Sequence, residues 1–554
     1  MKRLFFAFFI LYLLLFILGI RTLFHGFPDI ERFFAEWKDE RLILTSIIKF
    51  GTLNFAPTQV WHPPLYSYLT FVPIAVFYFA GKLIGIFHDK VEFVSFYFNN
   101  THYFFFIGRM MSYIFYWLTA LMIFKMARLF YSRSVSHITT LSFLLIPRFI
   151  LDFCSTRPDT LSLLTSTIFF FFILKYYLHN KEKYLFLAAF FLGVTTATKY
   201  NALFLGSIFI PLYFFSQKVR IPSGRNFVTL FGFCLKICLL AIMGFFICNP
   251  FFVIQFTKYF YNFMVFRTIV RYYWEGYHPA IFCLTHAAEA MSLIYMNLFG
   301  FLIFLFGARY LFKRNKKLTA IAFTGILVFE VYFGIFLRTT SPMRYLFPLL
   351  PIVALFFSSG VNFINSNKRK FIAVLILFVL IAFYNYLDIW QGVSSRPTYL
   401  QKARYFIEKS IPEFTTICIT SDSLLPQLNM TRASYGHLLN TAQELQDIPG
   451  HNVHYKEMDS EKNYDSIFRE LRIESMTKSP QYNLLRWDRN IKTKKDAMNF
   501  MIKNNVKYII GSNAAWLDTN KELIDTRIIS LVNEFRPNNK RVYGNEFLYI
   551  FKIE

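Results

Sequence analysis

From the first residue to about Trp390 the chain alternates apolar runs of roughly 18 residues or more with short polar clusters. A helix of that length crosses a hydrocarbon core about 30 Å thick and satisfies its own backbone hydrogen bonds where no water is present. The pattern predicts a polytopic α-helical membrane domain over residues 1–390. After Trp390 it changes to mixed charge with short alternating runs. Residues 415–420 and 506–511 read as buried strands, 400–410 and 494–504 as amphipathic helices, and 543–553 as a closing strand. Residues 391–554 are therefore expected to form a soluble α/β domain of about 160 residues, large enough for its own core. No glycine fingerprint, ligand cluster or internal repeat marks its function.

Basic clusters mark the cytoplasmic ends of membrane helices. They fall at Arg128 with Arg133, at Lys181 with Lys183, and at 218–225, 313–317 and 368–370. Between successive clusters the chain goes out and returns. This puts Arg157, Asp159, Lys199, the stretch 249–285, Arg338 to Arg344 and everything after Trp390 on the outer side. With the amino terminus inside, residues 21–62 are outside and 103–127 runs inward. The apolar stretch 65–87 then makes no net crossing. It is either a helix in the outer interface or one crossing paired with another around 91–107. The interfacial form leaves about eleven crossings plus outer juxtamembrane helices. Lys2 and Arg3 before an apolar run to Ile20 have the opening of a signal peptide, but no small-residue cleavage site follows, so the run reads as a retained first helix.

Composition agrees with this class. A chain of 554 residues that is 55% hydrophobic, with 73 Phe and only 17% charged residues, is wrong for ordinary cytosolic domains. The net charge of +26 would raise nucleic acid as a partner, yet much of the excess sits between apolar runs. There it sets topology and attracts anionic lipid, so the bilayer is the partner and nucleic acid is not. The six cysteines are scattered, and no disulfide framework or CxxC metal site is visible.

Ionisable groups in or beside membrane segments are costly and default to functional hypotheses. The first outer loop carries Asp29, Glu31, Asp39 and Glu40. Later outer positions carry Arg157, Asp159, Lys199, Arg267, Arg271, His278, Arg338 and Arg344. Carboxylates gathered with several cations on one face suit an anionic substrate plus a base. Each has a plainer reading. Adjacent acids such as Asp39 and Glu40 are often only solvated, Arg344 before an apolar run could snorkel, and His62 could mark a turn fixed by two prolines. Lys199 is harder to dismiss, since GVTTATKYNALFLG is apolar on either side of it.

The order of Asp39-Glu40, GTLNFAPTQVWHPPLYSYL at 51–69, TRPDTLSLL at 156–164, TATKYNALFL at 196–205, CNPFF at 248–252 and SPMRYLFPLLPIVAL at 341–355 resembles the GT-C glycosyltransferases. Within them it is most similar to family 39, which includes protein O-mannosyltransferases and bacterial aminoarabinose transferases of lipid A. The resemblance covers most of residues 1–390, and the α/β tail agrees with bacterial members, which implies a bacterial inner membrane. It implies a polyprenyl- or dolichyl-phosphate sugar donor and an acidic pair in the first outer loop that activates the acceptor. Carried over, Asp39 is the candidate base with Glu40 beside it, Asp159 the second acidic position, Lys199 the donor-phosphate lysine and Arg344 the arginine of an RY-x-x-P motif. The run from Asp39 to Gly51 is shorter than the family pattern, and Asp29 offers a competing acidic start. The implied substrate-binding set is His62, Arg157, Asp159, Lys199, Tyr200, Arg271, Arg344 and Tyr345.

The chemistry fits without the family. Transfer from a lipid phosphate needs a carboxylate to deprotonate the attacking hydroxyl and cations to stabilise charge on the departing phosphate. A divalent metal (Mg, Mn or Zn) held by Asp159 or Glu40 would assist, but oxygen ligands this sparse do not demand one. The acceptor is open among lipid, glycan and protein hydroxyls. A transporter or flippase is the competing class, and it predicts inverted repeats with broken helices at the midplane.

Overall fold

The computed structural model describes residues 2–24, 38–51, 55–57, 60, 62–146, 148–216, 224–260, 298–332, 343–364, 402–420, 428–434, 479–487, 493–511, 529–535 and 548–553, with single positions and pairs between 380 and 390 and between 470 and 474. The chain divides into two units. One comprises Met1–Leu23, Phe55–Thr70 and Gly108–Asp388, the other Phe24–Asn54, Phe71–Ile107 and Ile389–Glu554.

In chain order the first helices are α1 (Lys2–Leu23), α2 (Lys38–Phe50), α3 (Leu65–Leu83), α4 (Lys90–Asn99), α5 (Thr101–Arg128), α6 (Arg133–Leu144), α7 (Arg148–Phe153), α8 (Asp159–His179), α9 (Glu182–Thr196), α10 (Phe209–Ser216) and α11 (Gly224–Cys248). Further helices are Leu298–Arg314, Lys316–Val331 and Leu350–Ile364. Among the described residues, four stretches are long and apolar enough to cross a membrane: Thr101–Arg128, Asp159–His179, Leu230–Cys248 and Leu346–Ile364. The helical majority and these spans agree with a polytopic membrane protein. The stretches 261–297 and 365–379, where the sequence pattern places further turns and crossings, lie outside the described residues. The stretch 91–107 is not one helix, because α4 ends at Asn99, Asn100 breaks the run and α5 starts at Thr101.

In the first unit, helices approach closely where glycine removes the side chain. A Cβ on Gly193 of α9 would lie 1.8 Å from the Ala241 carbonyl of α11, and one on Gly244 would lie 2.3 Å from the Phe190 carbonyl. Gly307 and Gly360 join Leu298–Arg314 to Leu350–Ile364 in the same way. Without a hydrophobic gain between helices in lipid, such backbone proximity and interhelical hydroxyl bonds hold the bundle together. Thr139 of α6 donates to Ser358 at 3.1 Å, and the Tyr131 and Ser359 hydroxyls lie 2.6 Å apart.

In the second unit, α2 buries Ile43, Leu44, Ile47, Ile48 and Phe50. The carboxy-terminal part is a six-stranded sheet of β1 (Thr416–Ile419), β2 (Asn429–Met430), β3 (Gln481–Arg486), β4 (Tyr508–Gly511), β5 (Ile529–Phe535) and β6 (Leu548–Ile553), in the order β2-β3-β1-β4-β6-β5. The first four in that order pair in parallel, while β6 and β5 are antiparallel. Side-chain alternation splits the core between two faces. Ile417, Leu484, Ile510 and Ile550 pack with Ala403, Ile407 and Ile411, and Cys418, Ile509 and Phe551 pack with Ala497 and Met501. The helix Lys494–Lys503 starts at a capping box in which Thr493 and Asp496 satisfy each other's backbone N–H. Strands expected at 415–420, 506–511 and 543–553 contain β1, β4 and β6, whereas β2, β3 and β5 were not anticipated.

Candidate active site

The α8–α9 hairpin determines which residues meet. Asp159 opens α8, a helix of 21 residues and so about 30 Å long. Asn180 reverses the chain in the left-handed conformation (φ 51°), which asparagine tolerates better than most residues. The return through α9 ends at Thr196, and three residues later the Lys199 side chain reaches the start of α8. There the Lys199 ammonium donates to Asp159 Oδ1. Both residues are buried, at 3% and 2% exposure. Asp159 stands in the first turn of α8, and the Lys199 N–H donates to Thr195 O at 3.0 Å at the end of α9. Each charge therefore has the sign that suits the nearby helix end. The structure thus brings together two of the residues singled out in the sequence.

A second set of contacts fixes the proline-rich segment around 55–64. Three of its carbonyls accept hydrogen bonds from three different places: Tyr68 donates to Phe55 O at 3.1 Å, Lys258 to Pro57 O at 3.0 Å and Tyr200 to Val60 O at 3.2 Å. Tyr200 follows Lys199 directly, so this segment is tied to the same end of the hairpin as the ion pair. His62 lies half-buried within it. In the CNPFF motif, Asn249 is buried and its Oδ1 accepts from Tyr259 at 2.9 Å.

Two buried charges were not anticipated. Arg109 of α5 is fully buried, and its guanidinium donates to Leu23 O at 3.1 Å, satisfying a carbonyl at the end of α1. One turn further on, Ser112 donates to Ser155 O at 2.8 Å and lies 2.8 Å from the Tyr66 hydroxyl, which itself donates to Gly108 O at 2.8 Å. The loop leading to Asp159 is thereby held against α5, and a Cβ on Gly108 would collide with Thr156. Asp152 of α7 is also buried, and Arg157 is half-buried. The signal for Arg109 was available, since it interrupts the apolar run YFFFIGRMMSYIFYW.

Asp39 and Glu40 belong to the first turn of α2, in the second unit, and Glu40 is fully buried. The Asp39 side chain lies outside the described residues, as do Asp29 and Arg271. The backbone of Arg344 and Tyr345 forms part of a 3-10 helix, Met343–Leu349, but their side chains are also outside the described set. Among the described residues, no three His, Cys, Asp or Glu side chains converge as a metal site. Asp159 carries a lysine ammonium rather than a second carboxylate, a donor set that does not fit a divalent cation.

Comparison with known proteins adds the following. Residues 102–248 match the family model of dolichyl-phosphate-mannose-protein mannosyltransferases. No curated protein sequence matches the chain. The fold is similar to that of ArnT from Cupriavidus metallidurans bound to undecaprenyl phosphate, at a TM-score of 0.51 and 12% identity, over 98% of this chain and 97% of that one. The apo form of ArnT gives a TM-score of 0.45 at 11% identity over the same shares. The oligosaccharyltransferase of Archaeoglobus fulgidus, in complex with zinc and sulfate, gives 0.43 at 12% identity over 90% of this chain and 67% of that one.

Proposed function

We propose that this integral membrane protein is a lipid-linked-sugar glycosyltransferase of the GT-C type, a reading supported by the match of residues 102–248 to the dolichyl-phosphate-mannose-protein mannosyltransferase family model and by the likeness of its fold to ArnT. It moves a monosaccharide, hexose or pentose, from a polyprenyl-phosphate donor to a lipid, glycan or protein acceptor of the cell envelope. The reaction takes place at the outer face of a bacterial inner membrane. The observation that carries this reading is the buried Lys199–Asp159 pair at the open end of the α8–α9 hairpin, beside the anchored segment 55–64.

In this reading the acceptor oxygen bonds to the anomeric carbon while its proton passes to Asp39, with Glu40 beside it. The bond from the anomeric carbon to the phosphate oxygen breaks, and its electron pair leaves on the polyprenyl phosphate. Lys199 and Arg344 stabilise the charge that grows there, Lys199 as a point charge and Arg344 as a planar fork. Asp159 takes one of the three lysine donors and fixes the ammonium in place, so the cation needs no reorganisation when the phosphate charge develops. His62, Arg157, Tyr200, Arg271 and Tyr345 complete the substrate-binding set.

Mass spectrometry of envelope lipids, glycans and proteins from cells with and without the protein tests this reading and identifies the acceptor. One acceptor class should lose the mass of a single sugar. Identical spectra in all three fractions would contradict the reading.

A further inference from the structure

Helix α11 carries a cation at its midpoint that faces away from the bundle. Its 25 residues make a rod about 37 Å long, and Lys236 is the middle one. One face of the helix is fixed inward: Ala241 and Gly244 meet the backbone of α9 at Gly193 and Phe190, and Ile237 is buried on the same side. Lys236 lies about 100° round the helix from Ile237, outside that contact, and its side chain is exposed. Leu239, Met243 and Ile247 follow it at spacings of three, four and four residues, and all three are exposed. One turn before Lys236, nothing lies within 4 Å of a Cβ built on Gly232. The result is an open apolar stripe with one ammonium in it.

Every other Lys, Arg, Asp and Glu in the four membrane-length stretches is provided for. Asp159 holds Lys199, and Arg109 donates to Leu23 O. Lys125 and Arg128 stand in the last turn of α5, at the end of the apolar run. The Lys175 ammonium lies 4.9 Å from the Phe171 ring centroid and 5.2 Å from that of Tyr184. Lys236 makes no hydrogen bond, ion pair or ring contact with any described residue. Nor does it reach the lipid phosphates. The apolar run of α11 begins at Phe227, nine residues earlier and so about 13 Å along the axis. An extended lysine side chain, leaning toward the helix N-terminus, recovers about 6 Å of that distance. The ammonium stays within the hydrocarbon, where a charge is costly and calls for a partner of opposite sign.

We propose that this stripe of α11 is the docking surface for a transmembrane helix of a different membrane protein, which pairs an Asp or Glu near the middle of the bilayer with Lys236. Charge complementarity at a depth that lipid headgroups do not share selects the occupant. A carboxylate on a neighbouring helix reaches the ammonium in a medium where their attraction is strong. Leu239, Met243 and Ile247 pack along the same helix, and the open surface at Gly232 lets its backbone come close. A second copy of this chain offers no such group from its membrane-length stretches. Among the described residues they hold a single carboxylate, Asp159, which Lys199 occupies. The proposal rests on the membrane reading and not on the transfer reaction, so its test needs no sugar donor.

The test uses the full chain in the membranes of its own cells, with a photo-crosslinking amino acid at Leu239 and, as control, at Ile114, which is exposed on α5. Irradiation should give a discrete protein adduct from Leu239 and lipid adducts alone from Ile114. Mass spectrometry should place the crosslinked peptide in a transmembrane helix with an Asp or Glu within about one turn of the attachment point. Lys236→Met should lower the yield of that adduct about tenfold, the worth of one interhelical polar contact in lipid, and Lys236→Arg should keep most of it. Lys236→Glu should abolish the adduct, and lysine in place of the partner's carboxylate should restore it. In detergent the Lys236→Met variant should melt no lower than the wild type, so that a lost adduct is not a lost fold. A lower melting temperature would contradict the proposal, because Lys236 would then have its partner within the chain. Lipid adducts alone at Leu239 would overturn it, since the stripe would face acyl chains, and a crosslink to a second copy would do the same. A protein adduct with no acid near the attachment point, or one unchanged in Lys236→Met, would show that the ammonium does not select the partner.

Discussion

Lys199 donates to the carboxylate of Asp159, forty residues earlier in the chain, and both side chains are buried. Neither charge is accommodated without the other, because an isolated charge taken out of water costs far more than a hydrogen-bonded pair. The hairpin geometry of α8 and α9 makes the pairing a consequence of helix length and of the turn at Asn180. The pair is therefore a structural element, and under the proposed function Lys199 is also the cation that acts on phosphate.

These two roles separate by mutation. Asp159→Asn and Lys199→Met each leave one buried charge behind and should lower stability by about 3–5 kcal/mol. Combining Asp159→Leu with Lys199→Met removes both charges and should recover most of that stability while transfer remains absent. Thermal unfolding in detergent, run beside a transfer assay, checks this. A double variant that regains activity would remove Lys199 from the chemistry.

Gly193→Ala should destabilise the α9–α11 contact by about 1–3 kcal/mol, since the new methyl meets a backbone carbonyl rather than a movable side chain. Gly307→Ala should act similarly at its own interface. Gly232→Ala is the control, because nothing lies within 4 Å of its Cβ, and it should be neutral or slightly stabilising. Equal melting temperatures for all three would contradict the close approach.

Arg109→Met should leave the Leu23 carbonyl without its donor, costing about 1–3 kcal/mol, and loosen the end of α1. Arg109 is a positioning residue on this account. Its loss should lower kcat with little change in KM for the donor, and Arg109→Lys should restore stability better than Met does. A pure KM effect would instead point to substrate contact.

In the sheet domain, burial pushes the Cys418 thiol well above its ordinary range. A folded-state value raised above the unfolded one contributes stability that is fully present below the unfolded value, about 8.5, and is lost as pH rises past it. The domain should therefore weaken above about pH 8.5, and Cys418→Ala should flatten that alkaline decline. Denaturation at pH 7, 9 and 10 tests both parts.

How much the sequence revealed follows from which signals are local. Apolar runs and basic clusters made the membrane class readable, and the motifs TRPDTLSLL and TATKYNALFL contained both members of the ion pair, although only the hairpin shows that they meet. Strands β1, β4 and β6 carry dense apolar residues. By contrast, β3 (QYNLLR) and β5 (ISLVNEF) interleave polar residues and take their place from neighbouring strands, so no local pattern announced them. Arg109 was marked by its interruption of an apolar run, but its contact with the Leu23 carbonyl at the end of another helix leaves no trace in the sequence.

The most direct test is transfer from a purified polyprenyl-phosphate sugar by the protein in liposomes. The wild type should transfer the sugar to an envelope acceptor. Asp39→Asn keeps size and polarity but cannot accept a proton at neutral pH, and it should lose on the order of a hundredfold or more in rate while remaining folded. Lys199→Ala and Arg344→Ala should weaken use of the donor, and Asp29→Asn should be mild. Inactive Asp29→Asn beside normal Asp39→Asn would move the base by ten residues within the same reaction. A wild type that transfers nothing from any such donor, or four variants with full activity, would contradict the account.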